Sequence, residues 1–214
     1  MLKIKPPTHK IDAGGVFISL SDPAWCQEKY AADLAAFEAA ALTKVQDAAV
    51  AKFKAENQSR ELSDDELAVV RAACVLSDEE RHKARGRHPV FRYLRGATRL
   101  QPNAPDWGPD GKPCTARDYL KGPATEFTIR RLTYRDYQTA DEIVGSNARL
   151  MEFCRLGLKG IKSADYTWQA KGDETVPDEV MQALHDANVA LPLEVGAAVV
   201  LMCRSLDEEH ELPR

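Results

Sequence analysis

The chain has 214 residues, of which 44% are hydrophobic and 29% charged, a balance that provides for a buried core and excludes global disorder. Its formal net charge of −4 favours neither a general nucleic-acid binder nor an acidic solvating tail. The five cysteines, Cys26, Cys74, Cys114, Cys154 and Cys203, are scattered and never form a CxxC pair; this argues against a zinc site and a disulfide framework and fits a reducing cytoplasm.

Residues 1–20 read as an extended lead-in. Pro6-Pro7 blocks helix, Gly14-Gly15 marks a turn, and Val16–Leu20 reads as a short strand. The opening MLKIKPPTHK lacks the apolar core of a signal peptide, and no apolar run approaches the roughly 20 residues of a membrane span. The expectation is a protein with no membrane contact that stays in the cell that makes it or enters an assembly there.

Ser21-Asp22-Pro23 gives a helix start, and an alanine-rich helix follows from Ala24 to about Glu56. Along it Tyr30, Leu34, Phe37, Ala41, Val45 and Ala49 recur at steps of three and four, forming one apolar stripe. So narrow a stripe on so long a helix cannot bury itself. It lies against another helix, either the next one in this chain or one in a partner. Asn57–Arg60 is a hairpin connection, and capping boxes at Ser63–Glu66 and Ser77–Glu80 open two further helices, the second stopping near Gly86.

Between Arg81 and Arg99 the chain is basic, with Arg81, Lys83, Arg85, Arg87, Arg92, Arg95 and Arg99 and no acid, and with Phe91 and Tyr93 among them. Two readings stand: a phosphate-tracking strip with stacking aromatics, or a solvated basic face that pairs with the acids at 64–66 and 78–80. The bland reading carries more weight, because no nucleic-acid motif accompanies the charge. Residues 101–124 are loop-rich. Pro109–Lys112 is a turn, Trp107 is expected to anchor the loop to the core, and Thr115 caps a short helix through Leu120.

The most structured stretch is FTIRRLTYRDY, Phe127–Tyr137. Phe127 and Ile129 point to one face of a strand and Thr128 and Arg130 to the other; Thr133 then caps a helix, with Asp136 placed to complete a capping box. That helix runs over Tyr134–Val144 and yields at Gly145, and a second runs from Ser146 or Asn147 to the glycines 157 and 160. Ile161–Trp168 reads as a strand pairing with Phe127–Leu132. Pro177 starts a helix to about Ala187 that Asn188 closes. The last helix begins near Pro192, carries Val195, Ala198, Val199, Met202 and Leu206, and is expected to be the most buried, with the charged end DEEHELPR solvated.

Reactive chemistry is scarce. His9, His82, His88, His185 and His210 sit in no HExxH and beside no cysteine at ligand spacing, so surface or capping roles are expected for them. GxSxG, P-loop and GxGxxG patterns are missing, and the acid pairs stand at helix ends. No catalytic, cofactor-binding or metal-binding residue is assigned, and a non-enzymatic protein is expected. Cys74, Cys154 and Cys203 lie in apolar helical patterns and read as buried thiols.

FTIRRLTYRDY, RLMEFCRLGLKGIK and LPLEVGAAVVLMCRSLDEEHE, in that order, resemble the tail assembly chaperones of tailed bacteriophages. Ser205, Leu206, Glu208 and Glu209 match the serine-leucine and acidic pattern that ends the last helix of such proteins. The resemblance centres on the C-terminal unit; HPVFRYLRGATR (88–99) and DPAW (22–25) also look phage-like, with no role assigned to them. It implies a mostly helical helper that binds tape-measure protein, keeps its hydrophobic helices soluble and recruits tail-tube subunits, in the host cell cytoplasm, with retention in the virion as the alternative. The N-terminal arm is larger than the family pattern and leaves room for a structural tail or connector role.

The expected fold is therefore mainly α with a small β element (α+β): a long helical arm with its lead-in over 1–100, a proline-rich connection over 101–124 and a helical C-terminal unit over 125–214. The expected partner-binding residues are Tyr30, Leu34, Phe37 and Val45, and a homo-oligomer is a further option. A further alternative is a nucleic-acid or host-defence-blocking binder that contacts polyanions through Arg81, Lys83, Arg85, Arg87, Arg92 and Arg95, although nucleic acid is not the expected partner.

Overall fold

A computed structural model describes residues 14–58 and 60–204. The readings on Pro6-Pro7, His9, Ser59 and the end from Ser205 to Arg214, with its resemblance to the family terminus, lie outside the described residues. The elements are β1 (Gly15–Phe17), α1 (Gln27–Glu56), α2 (Asp64–Ala72), α3 (Asp78–Arg85), α4 (Pro89–Leu94), β2 (Asp106–Trp107) and β3 (Pro113–Cys114), then a 3₁₀ turn at Ala116–Tyr119. There follow β4 (Glu126–Ile129), α5 (Tyr134–Asp141), α6 (Ser146–Gly157), β5 (Leu158–Lys162), β6 (Thr167–Gln169), α7 (Asp178–Ala187) and α8 (Leu191–Arg204). The fold is mainly α with a small antiparallel β element, as the sequence indicates.

The chain forms two compact units, each built from separated segments. Among the described residues the first takes 14–25, Tyr93–Pro102 and 120–204; the second takes Cys26–Arg92 and Asn103–Tyr119. The sequence divisions at 100 and 124 follow chain order, whereas these units are set by packing.

In the first unit a four-stranded antiparallel sheet runs β1-β4-β5-β6. Phe127 faces Phe17 on one side and Ile161 on the other, so alternate residues of β4 fill the core: Phe127 is 1% and Ile129 0% exposed, while Thr128 faces solvent. The strand expected over Ile161–Trp168 is in fact a hairpin. β5 and β6 pair across the 163–166 turn, where the Ser163 hydroxyl accepts from the Tyr166 amide at 3.1 Å. The lead-in strand is also shorter than expected. It begins at Gly15, where a Cβ would come within 3.1 Å of the Arg99 carbonyl oxygen, so this glycine serves a close approach rather than a turn.

α8 packs on α6 and along the sheet, and it holds the most fully buried set: Val195, Ala198, Val199, Met202 and Cys203. The approach of α6 and α8 is set by glycine, because a Cβ at Gly157 would lie 2.5 Å from Val199 and one at Gly196 only 2.0 Å from the Leu150 carbonyl oxygen. α5 ends at Asp141, earlier than expected; the chain turns out at Val144, which is 94% exposed, and Gly145 takes φ +101°. Thr133 accepts from the Asp136 amide at 3.2 Å, which makes half of the expected capping box. α7 is closed by Asn188 as read from the sequence.

Ser21-Asp22-Pro23 does not start α1. Asp22 instead ties a turn, its two carboxylate oxygens accepting from the amides of Ala24 and Thr125, each at 2.8 Å. Trp25 follows it into the core at 3% exposure and donates its indole N–H to the Ser19 carbonyl. Tyr93 is also a core residue, fully buried, with its hydroxyl accepting from the Ile18 amide and donating to the Val16 carbonyl. It is therefore no stacking platform. No single helix among the described residues is long and apolar enough to cross a membrane.

Candidate protein-binding groove

In the second unit the 30 residues of α1 form its spine. α2 and α3, each opened by a complete capping box at Ser63–Glu66 and Ser77–Glu80, pack back onto α1. The stripe thus meets helices of its own chain. It is covered only in part: Tyr30, Leu34, Phe37, Ala41, Val45 and Ala49 all remain half-buried, and among α1 residues only Val50 is buried.

One shallow apolar groove follows from this incomplete cover, and a second lies beside the stripe. One, of about 170 Å³, is floored by Phe37, Ala40, Ala41 and Val45 against Leu76 and Ala84. Its rim carries Lys44, Lys83 and Arg87 with one acid, Glu80. The other, of about 220 Å³, runs between Leu42 of α1 and Cys74, Val75 and Leu76, with Arg81 and Glu38 at its edge. Val69 of α2 and Val75 of the α2–α3 connection are 69% and 75% exposed, a cost in water that partner burial would relieve.

Beneath α1 lies a feature that sequence reading placed on the surface. His88 is fully buried, with Tyr30 at 4.6 Å, Tyr119 at 4.8 Å and Phe37 at 6.0 Å between ring centroids. Its Nδ1 accepts from the Val90 amide at 3.2 Å, which fixes the tautomer with the proton on Nε2. Nε2 has no hydrogen-bond partner among the described residues. Burial pushes the imidazole down to about 4, against the weaker pull of the Asp33 and Asp106 carboxylates. The ring is thus a neutral packing element at physiological pH.

Its neighbours are locked as well. Tyr119 donates to Asp33 Oδ2 at 2.8 Å, and burial together with that carboxylate raises its phenol. Lys29 lies 4.6 Å over the Tyr119 ring and donates to the Asp118 carbonyl. No sequence spacing announces this cluster. The one local sign is that His88 precedes Pro89 and Val90, which are themselves buried.

The other predicted residues divide. Phe37 and Val45 line a groove, Tyr30 packs the histidine, and Leu34 shares the half-buried stripe. Lys83 pairs with Glu79 and Arg85 with Glu38, both at 2.6 Å, and Arg92 with the buried Asp106 at 2.7 Å. Arg81 and Arg87 edge the two grooves. Arg95, exposed, belongs to the first unit. Trp107, expected to anchor its loop, is instead 62% exposed on the β2–β3 hairpin, whose turn places Gly111 at φ +73°. Cys74 is half-buried, with its thiol donating to the Val70 carbonyl, whereas Cys154 and Cys203 are buried. No group of three or more His, Cys, Asp or Glu among the described residues is placed to hold a metal ion.

Compared with known proteins, the chain matches no family model, no curated protein and no solved structure.

Proposed function

We propose that this chain is a non-enzymatic binder of helical client proteins, a tail-morphogenesis factor of the assembly-chaperone kind acting in the host cell cytoplasm. The observation that carries the reading is the partial cover of the α1 stripe. After α2 and α3 have packed, an apolar groove persists along it at Phe37, Ala41 and Val45, and an amphipathic helix fills such a groove through anchors three and four residues apart. Lys44 and Arg87 on the rim suit a client whose polar face is acidic. The phage context rests on the resemblance of the C-terminal segments, and tape-measure and tail-tube proteins are its proposed clients. Polyanion binding draws less support, because Lys83, Arg85 and Arg92 already have carboxylate partners.

The test is co-expression with a tape-measure protein from the same genome, followed by affinity measurement on the purified pair. Val45→Asp and Lys44→Glu, both away from the His88 cluster, are expected to weaken the complex about tenfold or more with little change in melting temperature. Unchanged affinity in both variants removes the groove from the reading. Recovery of the protein from purified particles in fixed stoichiometry would move the assignment to a structural tail or connector component.

A further inference from the structure

A larger pocket, of about 430 Å³, opens in the first unit between the sheet and α7, a volume within the range of roughly 300–1,000 Å³ typical of small-ligand sites. Its walls are apolar: Phe127 and Ile161 from the strands, Leu184 from α7 and Leu191 at the start of α8. The exposed side chains of Leu20, Tyr166 and Val189 stand at or next to its lining in the chain. Among its lining residues are one carboxylate, Asp22, and no lysine, arginine or histidine.

At the Ser19–Asp22 end of this pocket the two serine hydroxyls have spent their donors. Ser19, 3% exposed, donates its hydroxyl proton to Glu194 Oε2 and accepts from the Ser21 amide at 3.1 Å. A hydroxyl has one proton, so the 2.6 Å contact between the two serine hydroxyls must run from Ser21 to Ser19. Ser21 Oγ is left with acceptor capacity alone. Both oxygens of Asp22 accept from backbone amides, and each retains a second lone pair. The Ser19–Asp22 end therefore offers acceptors and negative charge at the head of an apolar chamber. A carboxylate tip would meet lone pairs and like charge there, whereas an ammonium tip would meet partners for its three donors.

We propose that this pocket, independently of the client groove, binds an amphiphilic cation: an aliphatic or aromatic body ended by a protonated amine. Two sources share that chemistry, a free amine and a lysine side chain beside an apolar residue in a partner protein.

The experiment titrates the full chain with phenylbutylamine, with its isostere phenylbutyrate and with acetyl-Phe-Lys-amide, followed by heteronuclear NMR and calorimetry. The amine or the peptide is expected to shift the amide signals of Ser163, Leu184 and Ala187 saturably and to bind about tenfold or more tightly than the acid. Ala183→Trp, exposed on α7 and lining the pocket, is expected to fill it and abolish those shifts while keeping the melting temperature. Tighter binding of the peptide assigns the lysine source, and tighter binding of the free amine the small-molecule one. Equal binding of the acid, no saturable shift with either cation, or unchanged affinity in Ala183→Trp overturns the proposal.

Discussion

His88 shows how a single side chain can escape sequence reading. Within RHKARGRHPVFRYL it has basic neighbours and reads as solvated, yet the rings that enclose it come from α1 and from the 3₁₀ turn at Tyr119. Only tertiary packing brings them together. Its depressed pKa has a consequence for stability. The unfolded chain takes up a proton near the ordinary histidine value of about 6.5, whereas the folded ring resists until about 4. Stability is therefore complete above pH 6.5, falls as the pH drops towards 4, and loses about 3 kcal/mol in all from this group. Urea unfolding between pH 4 and 7 is expected to show that loss, and His88→Phe, which suits an aromatic enclosure and has no proton to take up, is expected to flatten it. An equal acid loss in the variant would assign the effect to other groups.

At the scale of elements, what the sequence makes legible is what local chemistry decides. The two serine–glutamate capping boxes, the alternation of Phe127 and Ile129, and the closure of α7 by Asn188 each depend on residues a few positions apart, and each is present. The extent of β5 and β6 and the exposure of Trp107 depend on distant partners, and there local patterning misleads. Gly196 is the sharpest case. Inside a helix a glycine reads as a propensity cost, but here it lets α8 touch the backbone of α6 at Leu150. Gly196→Ala is expected to cost about 3 kcal/mol or more, because its methyl group would meet a carbonyl oxygen at 2.0 Å that no rotamer can move. Gly122→Ala, where a Cβ meets nothing within 4 Å, serves as the control and is expected to stay within about 0.5 kcal/mol of the parent. Denaturant midpoints of the two variants measure the difference. The candidate groove was legible as a stripe, whereas the degree of its cover was not, because cover depends on where α2 and α3 come to rest.

At the scale of the molecule, chain order and packing order diverge. The sequence suggests a helical C-terminal unit from 125 onward; in the structure its strand β4 pairs with β1, and the Val16 amide donates to the Leu100 carbonyl. A fragment of residues 125–214 would lack β1 and the 93–102 segment, leaving one edge of β4 and the buried Phe127 and Ile129 uncovered. It is expected to lack a cooperative urea transition and to self-associate on gel filtration; a monomer with a cooperative transition would show that β1 is dispensable.

The interleaved connectivity also sets a timetable for synthesis. Every segment of the second unit has left the ribosome once Tyr119 emerges, whereas the first unit waits for α8, whose Val195, Val199 and Met202 fill its core. During that interval the nascent chain holds a finished helical spine and an uncovered strand, and translation speed across 120–204 sets how long that strand stays open to misassociation.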